Sequence, residues 1–234
     1  MTTTNKTNLK VPGSGALMAR RVIQLLIGLY LYGAGIAFLV RSALGAASWD
    51  VLTQGISHHV SWSFGTISVI LSGIVLLLWI PLRQKPGIGT VLNALLVGPS
   101  ADASFALIPV TDTLWVRIAY IGLGIGIVGM ATGLYIGSRF GPGPRDGLIT
   151  GLHRVTGLPI WKVRVAIELV VVAIGWTLGG TVGLGTVAFA VFIGSVCQYF
   201  MRIFRIALPG DAEQNVVATI GETQARPGMQ ESPA

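Results

Sequence analysis

The chain has nine Asp and Glu residues in 234, so each acid set inside an apolar stretch calls for a reason. Glu168 falls about halfway along the apolar segment Pro159 to Leu178. An ionisable group there is costly and marks a functional position by default. Arg164, one helical turn earlier, is placed to pair with it at i, i+4; the structural alternative is an ion pair with Arg164 or Arg139 that only holds helices together. Asp50 and Asp146 each stand near the start of a short polar stretch, SWDVLTQGISHHV and GPGPRDGLITGLHRVTG. In both, an acid in the first turn of a helix suits the positive end of the helix dipole. Arg139 and Arg145 flank the second of these helix starts, a place that attracts anions. Asp146 already occupies that field, and topology bias gives the arginines a reason without a ligand. Asn93 and Asp102 share a third apolar segment and face protein as interhelical hydrogen bonds or as lining of a path. The chemistry this set supports is reversible binding of a polar solute, with Asp50, Asn93, Arg139, Arg145, Asp146 and Glu168 as the candidate substrate-binding residues. No nucleophile with a base, no metal cluster and no phosphate loop can be assembled, so neither an enzyme nor a cofactor is expected.

The two stretches around Asp50 and Asp146 are copies of one another. An offset of 96 superposes Asp50 on Asp146, and with it Gly45 on Gly141, Leu52 on Leu148 and Gly55 on Gly151. The register holds without a gap from Gly33 over Gly129 to Gly98 over Gly194, and GIGTV (87–91) falls on GLGTV (183–187). Between Val22 and Gly98 there are 16 identities in 77 positions. Self-similarity at one fixed offset, clustered on Gly and Asp, reads as a duplication.

Composition identifies the solvent. Hydrophobic residues are 52% and charged residues 11%, with mean hydropathy +0.73, against about 25% charged in soluble domains. Most of this surface must therefore face lipid. Residues 1–19 are expected to be a cytoplasmic tail, 20–108 a first repeat of three spans, 109–113 a linker, 114–206 a second repeat of three spans, and 207–234 a disordered cytoplasmic tail. The six apolar segments are Val22 to Val40, Ser63 to Leu82, Ile88 to Ile108 with an interruption at Gly98-Pro99, Leu114 to Ile136, Pro159 to Leu178, and Val182 to Phe204. Each is long enough, at about 1.5 Å per residue, to cross a core of roughly 30 Å. A cleaved signal peptide at the start is rejected: the apolar run is too long, and its Gly-Ser-Gly pattern returns in the second repeat. Between the first and second span of each repeat lies a short polar half-helix, capped at Ser48 in the first copy and running from Asp146 through about Val155 in the second.

Fourteen of the sixteen Lys and Arg residues fall on the side of the termini, leaving Arg41 and Arg117 on the other. Both termini are therefore cytoplasmic. The excess of +7 is topogenic and spread over short loops, which disposes of nucleic acid as a partner. Three spans per repeat is an odd number, so the second copy enters the bilayer from the opposite side. Inverted repeats of this kind suit transporters and some channels, whose halves meet at the midplane. Pro142, Gly143 and Pro144 stop the preceding span, and the half-helix that follows either folds back into a protein-lined interior or lies flat at the interface.

Other signals carry less. Gly124, Gly126 and Gly129 match GxGxxG inside an apolar span with no preceding strand, so the dinucleotide reading fails its context. Gly129, Gly133 and Gly137 form a small-xxx-small face, matched by Gly33 and Ala37, and these two faces are expected to pack on each other at a pseudo-twofold axis. His58-His59 lacks further ligands for a metal. Trp62, Trp79, Trp115, Trp161 and Trp176 lie near span ends and read as interfacial anchors. Cys197 is the one cysteine and allows no intramolecular disulfide.

The inserts GSRFGPGPRDGLITGLHRVTG and LGAASWDVLTQGIS, followed by GIGTVLNALLVGPSAD and GLGTVAFAVFIG, resemble YczE-type bacterial integral membrane proteins, which are related more distantly to the YitT group. The resemblance covers about Val22 to Cys197 and implies a multi-pass membrane protein. Where that family's first motif commonly has Gly-Pro before Trp-Asp, this chain has Ala46-Ala47-Ser48. Two functions are expected: a small secondary transporter or channel for an unidentified small solute, or a non-transporting subunit or chaperone-like partner of another membrane complex. Besides the lipid bilayer and the solute, a homo-oligomer or a membrane-protein partner is the expected association.

Overall fold

The computed structural model describes residues 14–204, which form eight helices. These are α1 (Ser14–Arg41), α2 (Ser48–Ser57), α3 (Phe64–Trp79), α4 (Ile88–Leu107), α5 (Leu114–Gly137), α6 (Pro144–Thr156), α7 (Ile160–Thr177) and α8 (Leu184–Phe204). No strand occurs among the described residues. The expected first tail ends earlier than composition implied, because residues 14–19 already belong to α1; residues 1–13 and the tail 207–234 lie outside the described residues.

Four helices, α1, α4, α5 and α8, are long and apolar enough to cross a membrane. The other two expected spans differ, and they are counterparts at the 96-residue offset. α3 has 16 residues, about 24 Å at about 1.5 Å each. α7 carries Lys162, Arg164 and Glu168 within its 18 residues.

Local sequence explains most of the helix ends. Ser63 Oγ accepts the Thr66 N–H at 3.1 Å and starts α3. Pro144 sits at the first turn of α6, where its missing N–H costs nothing, and Gly157 closes that helix with φ +70°. α2 corrects the expected cap: Ala47, not Ser48, is the residue before the helix, and no side chain caps it. α4 also corrects the reading at Gly98-Pro99, since the helix runs on through Pro99. Gly98 and Gly65 instead bring the backbones of α4 and α3 into contact, and the Gly65 N–H is taken up by Asp102 Oδ1 at 2.8 Å. Asp102 is thus an interhelical tie.

α1 and α5 form the centre and run antiparallel: Gly28 meets Ala131, Leu134 and Tyr135, while Gly124 meets Gly35 and Leu39. The expected pairing of these two helices is present, through different glycines. Gly129, Gly133 and Gly137 face Val196, Phe200 and Phe204 of α8, and Gly33 faces Val97, Ser100 and Ala101 of α4. The small-residue face therefore packs each central helix on the last helix of its own copy. Apolar cores fill both joints, with Leu25, Leu29, Ile36 and Val97 on one side and Leu39, Ile125, Val128 and Ile193 on the other.

The same backbone contacts are made twice, 96 residues apart, with partners exchanged. The Arg21 guanidinium donates to the Ser138 and Arg139 carbonyls at 2.9 and 3.0 Å, and Arg117 donates to Ser42 and Ala43 at 2.6 Å each. Both arginines satisfy carbonyls left open at the end of the other central helix. Gly89 N–H donates to Phe140 O at 3.0 Å, and Gly185 N–H to Leu44 O at 2.8 Å. The turns agree too: Ala43 and Gly45 have φ +49° and +118°, Arg139 and Gly141 +60° and +119°. The substitution of Ala46-Ala47-Ser48 for Gly-Pro leaves this backbone shape unchanged.

Trp79 overturns one expectation. It is 2% exposed, its Nε1–H donates to Pro144 O at 3.0 Å, and its indole covers Gly147, clamping α3 to α6. Trp62, Trp115, Trp161 and Trp176 are exposed, as interfacial residues would be.

Candidate functional site

The short helices α2 and α6 point their first turns at one cavity of about 370 Å³. Each owes its direction to the turn before it, where a glycine at positive φ (Gly45, Gly141) permits a bend that a side chain would strain. Trp49 and Asp50 enter from α2, Arg145 and Asp146 from α6. The remaining wall comes from the helices that flank them: Ser68 and Ser72 of α3, Asn93 of α4, Arg164 and Glu168 of α7, Tyr32 of α1, Thr132 and Tyr135 of α5, and Cys197 and Gln198 of α8. Much of the wall is paired at the offset of 96. Tyr32 answers Val128, Ser68 answers Arg164, Ser72 answers Glu168, Asn93 answers Phe189, and Val97 answers Ile193. The two copies thus line one space with equivalent positions and different chemistry.

Asp50 Oδ1 lies 3.6 Å from Arg145 Nη2, the carboxylate side chain being 2% exposed. That separation is ionic contact without a hydrogen bond, and Oδ1 accepts none. Burial pushes the Asp50 carboxyl above the usual carboxylate range, with Arg145 pulling in the other direction. The Arg145 guanidinium also lies over the Trp49 ring, 5.2 Å from its centroid, a cation–π contact. Asp146 Oδ2 accepts the Tyr135 hydroxyl at 2.9 Å, and Tyr32 meets Tyr135 edge to face with centroids 6.0 Å apart. Arg164 Nε donates to Glu168 Oε1 at 3.0 Å, the i, i+4 pair the spacing calls for.

Of the six candidate residues, Asp50, Asn93, Arg145, Asp146 and Glu168 line this cavity. Arg139 does not. It borders an adjoining groove near the ends of α5 and α8, which shares Gln198 and Met201 with the cavity, while Arg145 lines the cavity itself. His59 Nε2 is instead 3.2 Å from the Leu178 carbonyl.

Sequence reasoning passed over Trp49, Tyr32, Tyr135, Ser68 and Ser72. The last two were within reach, because the offset that defines the repeat places them opposite Arg164 and Glu168. The tyrosines were not: a phenol within an apolar helix gives no sign of which face it occupies until its neighbours are known.

The DUF6198 profile, described as a family of unknown function, matches residues 19–202. An uncharacterized protein of Haemophilus influenzae is 38% identical over 179 residues, which cover 76% of this chain and 82% of that one. The uncharacterized membrane protein YczE of Bacillus subtilis is 28% identical over 174 residues, 74% of this chain and 81% of its own. The uncharacterized protein YyaS of the same organism is 24% identical over 181 residues, 76% and 90% of the two chains. No solved structure matches the chain.

Proposed function

This chain belongs to the DUF6198 family and is of YczE type, and from that premise we propose that it is a small secondary transporter or channel of the bacterial inner membrane. It moves a small solute through the interface between two inverted three-helix repeats. The observation that carries this reading is the approach of Asp50 on α2 to Arg145 on α6, 3.6 Å apart in a cavity walled by equivalent positions of both copies. Short helices that enter from opposite faces can touch only if both fold inward. This supports re-entrant over interfacial helices, non-helical backbone being tolerated at that depth where it lines a protein cavity.

Three further features support the arrangement. The antiparallel α1 and α5 and the exchanged Arg21 and Arg117 contacts are what a two-fold in the membrane plane produces. The helices that fall short as spans, α3 and α7, are counterparts that line the cavity, and paired irregular segments are the usual place of a transporter's binding site. The distribution of Lys and Arg supports cytoplasmic termini. The role proposed is non-enzymatic, in keeping with cavity carboxylates whose partners are guanidiniums and a phenol.

Reconstituted proteoliposomes test this. The purified protein should move a solute from a broad panel, and Asp50→Asn or Asp146→Asn should lower the flux at least tenfold while the protein elutes and melts as a folded species. A second reading, a subunit or chaperone of another membrane complex, is favoured by Gly122 and Gly126 of α5, where an added side chain would meet no atom of the described residues within 4 Å; such a face suits a helix from another protein or a second copy. If no solute moves and the protein co-purifies stoichiometrically with another membrane protein in a manner lost in Gly122→Leu or Gly126→Leu, transport is excluded.

A further inference from the structure

The charges that line the cavity do not balance. Three carboxylates face two guanidiniums: Asp50, Asp146 and Glu168 against Arg145 and Arg164. Glu168 is matched by Arg164 at 3.0 Å, which leaves one guanidinium, Arg145, between two aspartates. The other titratable groups in the wall are the phenols of Tyr32 on α1 and Tyr135 on α5 and the thiol of Cys197 on α8, while α3 and α4 contribute only the uncharged Ser68, Ser72 and Asn93. With its acids and guanidiniums ionised the lining therefore carries one negative charge in excess. A lone charge inside a body surrounded by lipid is neutralised, by a proton or by a counter-ion.

The excess falls on Asp50. Asp146 accepts a hydrogen bond from Tyr135 and Glu168 from Arg164, whereas Asp50 Oδ1 is buried with no donor and lies 3.6 Å from its cation. Beside it, Trp49 presents a ring whose face already receives the Arg145 cation at 5.2 Å, so the space next to Asp50 suits positive charge. We propose, resting on the transport reading, that the solute is a small monovalent cation that enters beside Asp50 and Trp49 in exchange for one proton on Asp50. The carboxyl O–H bond breaks, the proton leaves to water, and the cation takes its place, so the net charge of the cavity is the same before and after. The cavity of about 370 Å³ far exceeds what one water needs and has room for a small cation with part of its hydration. The upward push of burial on Asp50 acts in the same direction.

The test is proton release from the purified full-length protein in weakly buffered detergent solution at pH 7, read with a pH-sensitive dye. Sodium chloride, potassium chloride and tetramethylammonium chloride are titrated in, with N-methylglucamine chloride as the ionic-strength control. A saturable release approaching one proton per chain with at least one of the three, absent in Asp50→Asn, is the expected result. Release by sodium or potassium alone identifies an inorganic ion, and release by tetramethylammonium alone an organic ammonium. Should Asp50→Asn not fold, the wild type decides: affinity measured by calorimetry must fall as pH is lowered, by up to tenfold per unit. No release with any of the three salts, or an affinity that does not change with pH, overturns the proposal. Flux without proton release would leave transport standing and remove this inference; release without flux would leave a cation site and remove transport.

Discussion

Single side chains decide how the copies are joined. Trp79 fills the space over Gly147 and donates to Pro144 O; at the offset of 96 the sizes are reversed, with Gly175 against Val51 and Leu52. Trp79→Ala should cost about 3–5 kcal/mol, as buried aromatic truncations do. Gly147→Ala should also lower the melting temperature in detergent, because its Cβ would enter the indole, and Trp79→Phe in the same chain should restore part of the loss; independent, additive effects would refute the contact. Tyr135→Phe removes the donor to Asp146 and should cost about 1–3 kcal/mol together with flux. Asp50 adds a pH dependence of determinate sign. Its folded carboxyl titrates above its unfolded value, so above about pH 4 the folded chain holds a proton that the unfolded chain lacks, and stability falls as pH rises through that window. Melting curves of wild type and Asp50→Asn should therefore converge toward low pH and diverge as pH rises, with the wild type losing more.

At the scale of elements, the glycines sort by what lies opposite them. Gly28 and Gly124, counterparts at the repeat offset, sit where α1 and α5 cross, each with backbone of the other helix within contact distance. Gly126 faces open space. Gly28→Leu and Gly124→Leu should each abolish a monodisperse elution peak, while Gly126→Leu should elute and melt like wild type; equal damage by all three would mean that α1 and α5 do not pack in this way. The small-xxx-small spacing was legible along the chain. Its partner was not, because Gly129, Gly133 and Gly137 offer the same groove to any helix, and only packing assigns it to α8. Helix existence and most boundaries were readable from apolar length and Pro or Gly punctuation, whereas the continuity of α4 through Pro99 was not, because proline usually reads as a break.

For the whole molecule, topology is the property most open to test. In a Cys197→Ser background, a maleimide that does not cross membranes should label His58→Cys from outside intact cells and Arg154→Cys only after permeabilisation. Labelling of both from one side would remove the inversion and the transport reading with it. Arg21 and Arg117 also take on a second task at this scale. Arg21 adds to the topology signal in sequence whereas Arg117 runs against it, and in the fold each satisfies carbonyls at the end of the opposite central helix.

What the sequence by itself determined is the medium, the duplication and five residues that come to line one cavity, because hydropathy, a fixed offset and a charge in an apolar run are all properties of linear order. What only the tertiary structure decided is which groups meet. The Asp50 contact with Arg145, the Tyr135 bond to Asp146, the burial of Trp79 and the place of Arg139 beside rather than in the cavity lining all depend on how α2 and α6 turn toward the cavity. That turn is set by two glycine bends and by contacts exchanged between copies almost a hundred residues apart, which local pattern does not encode.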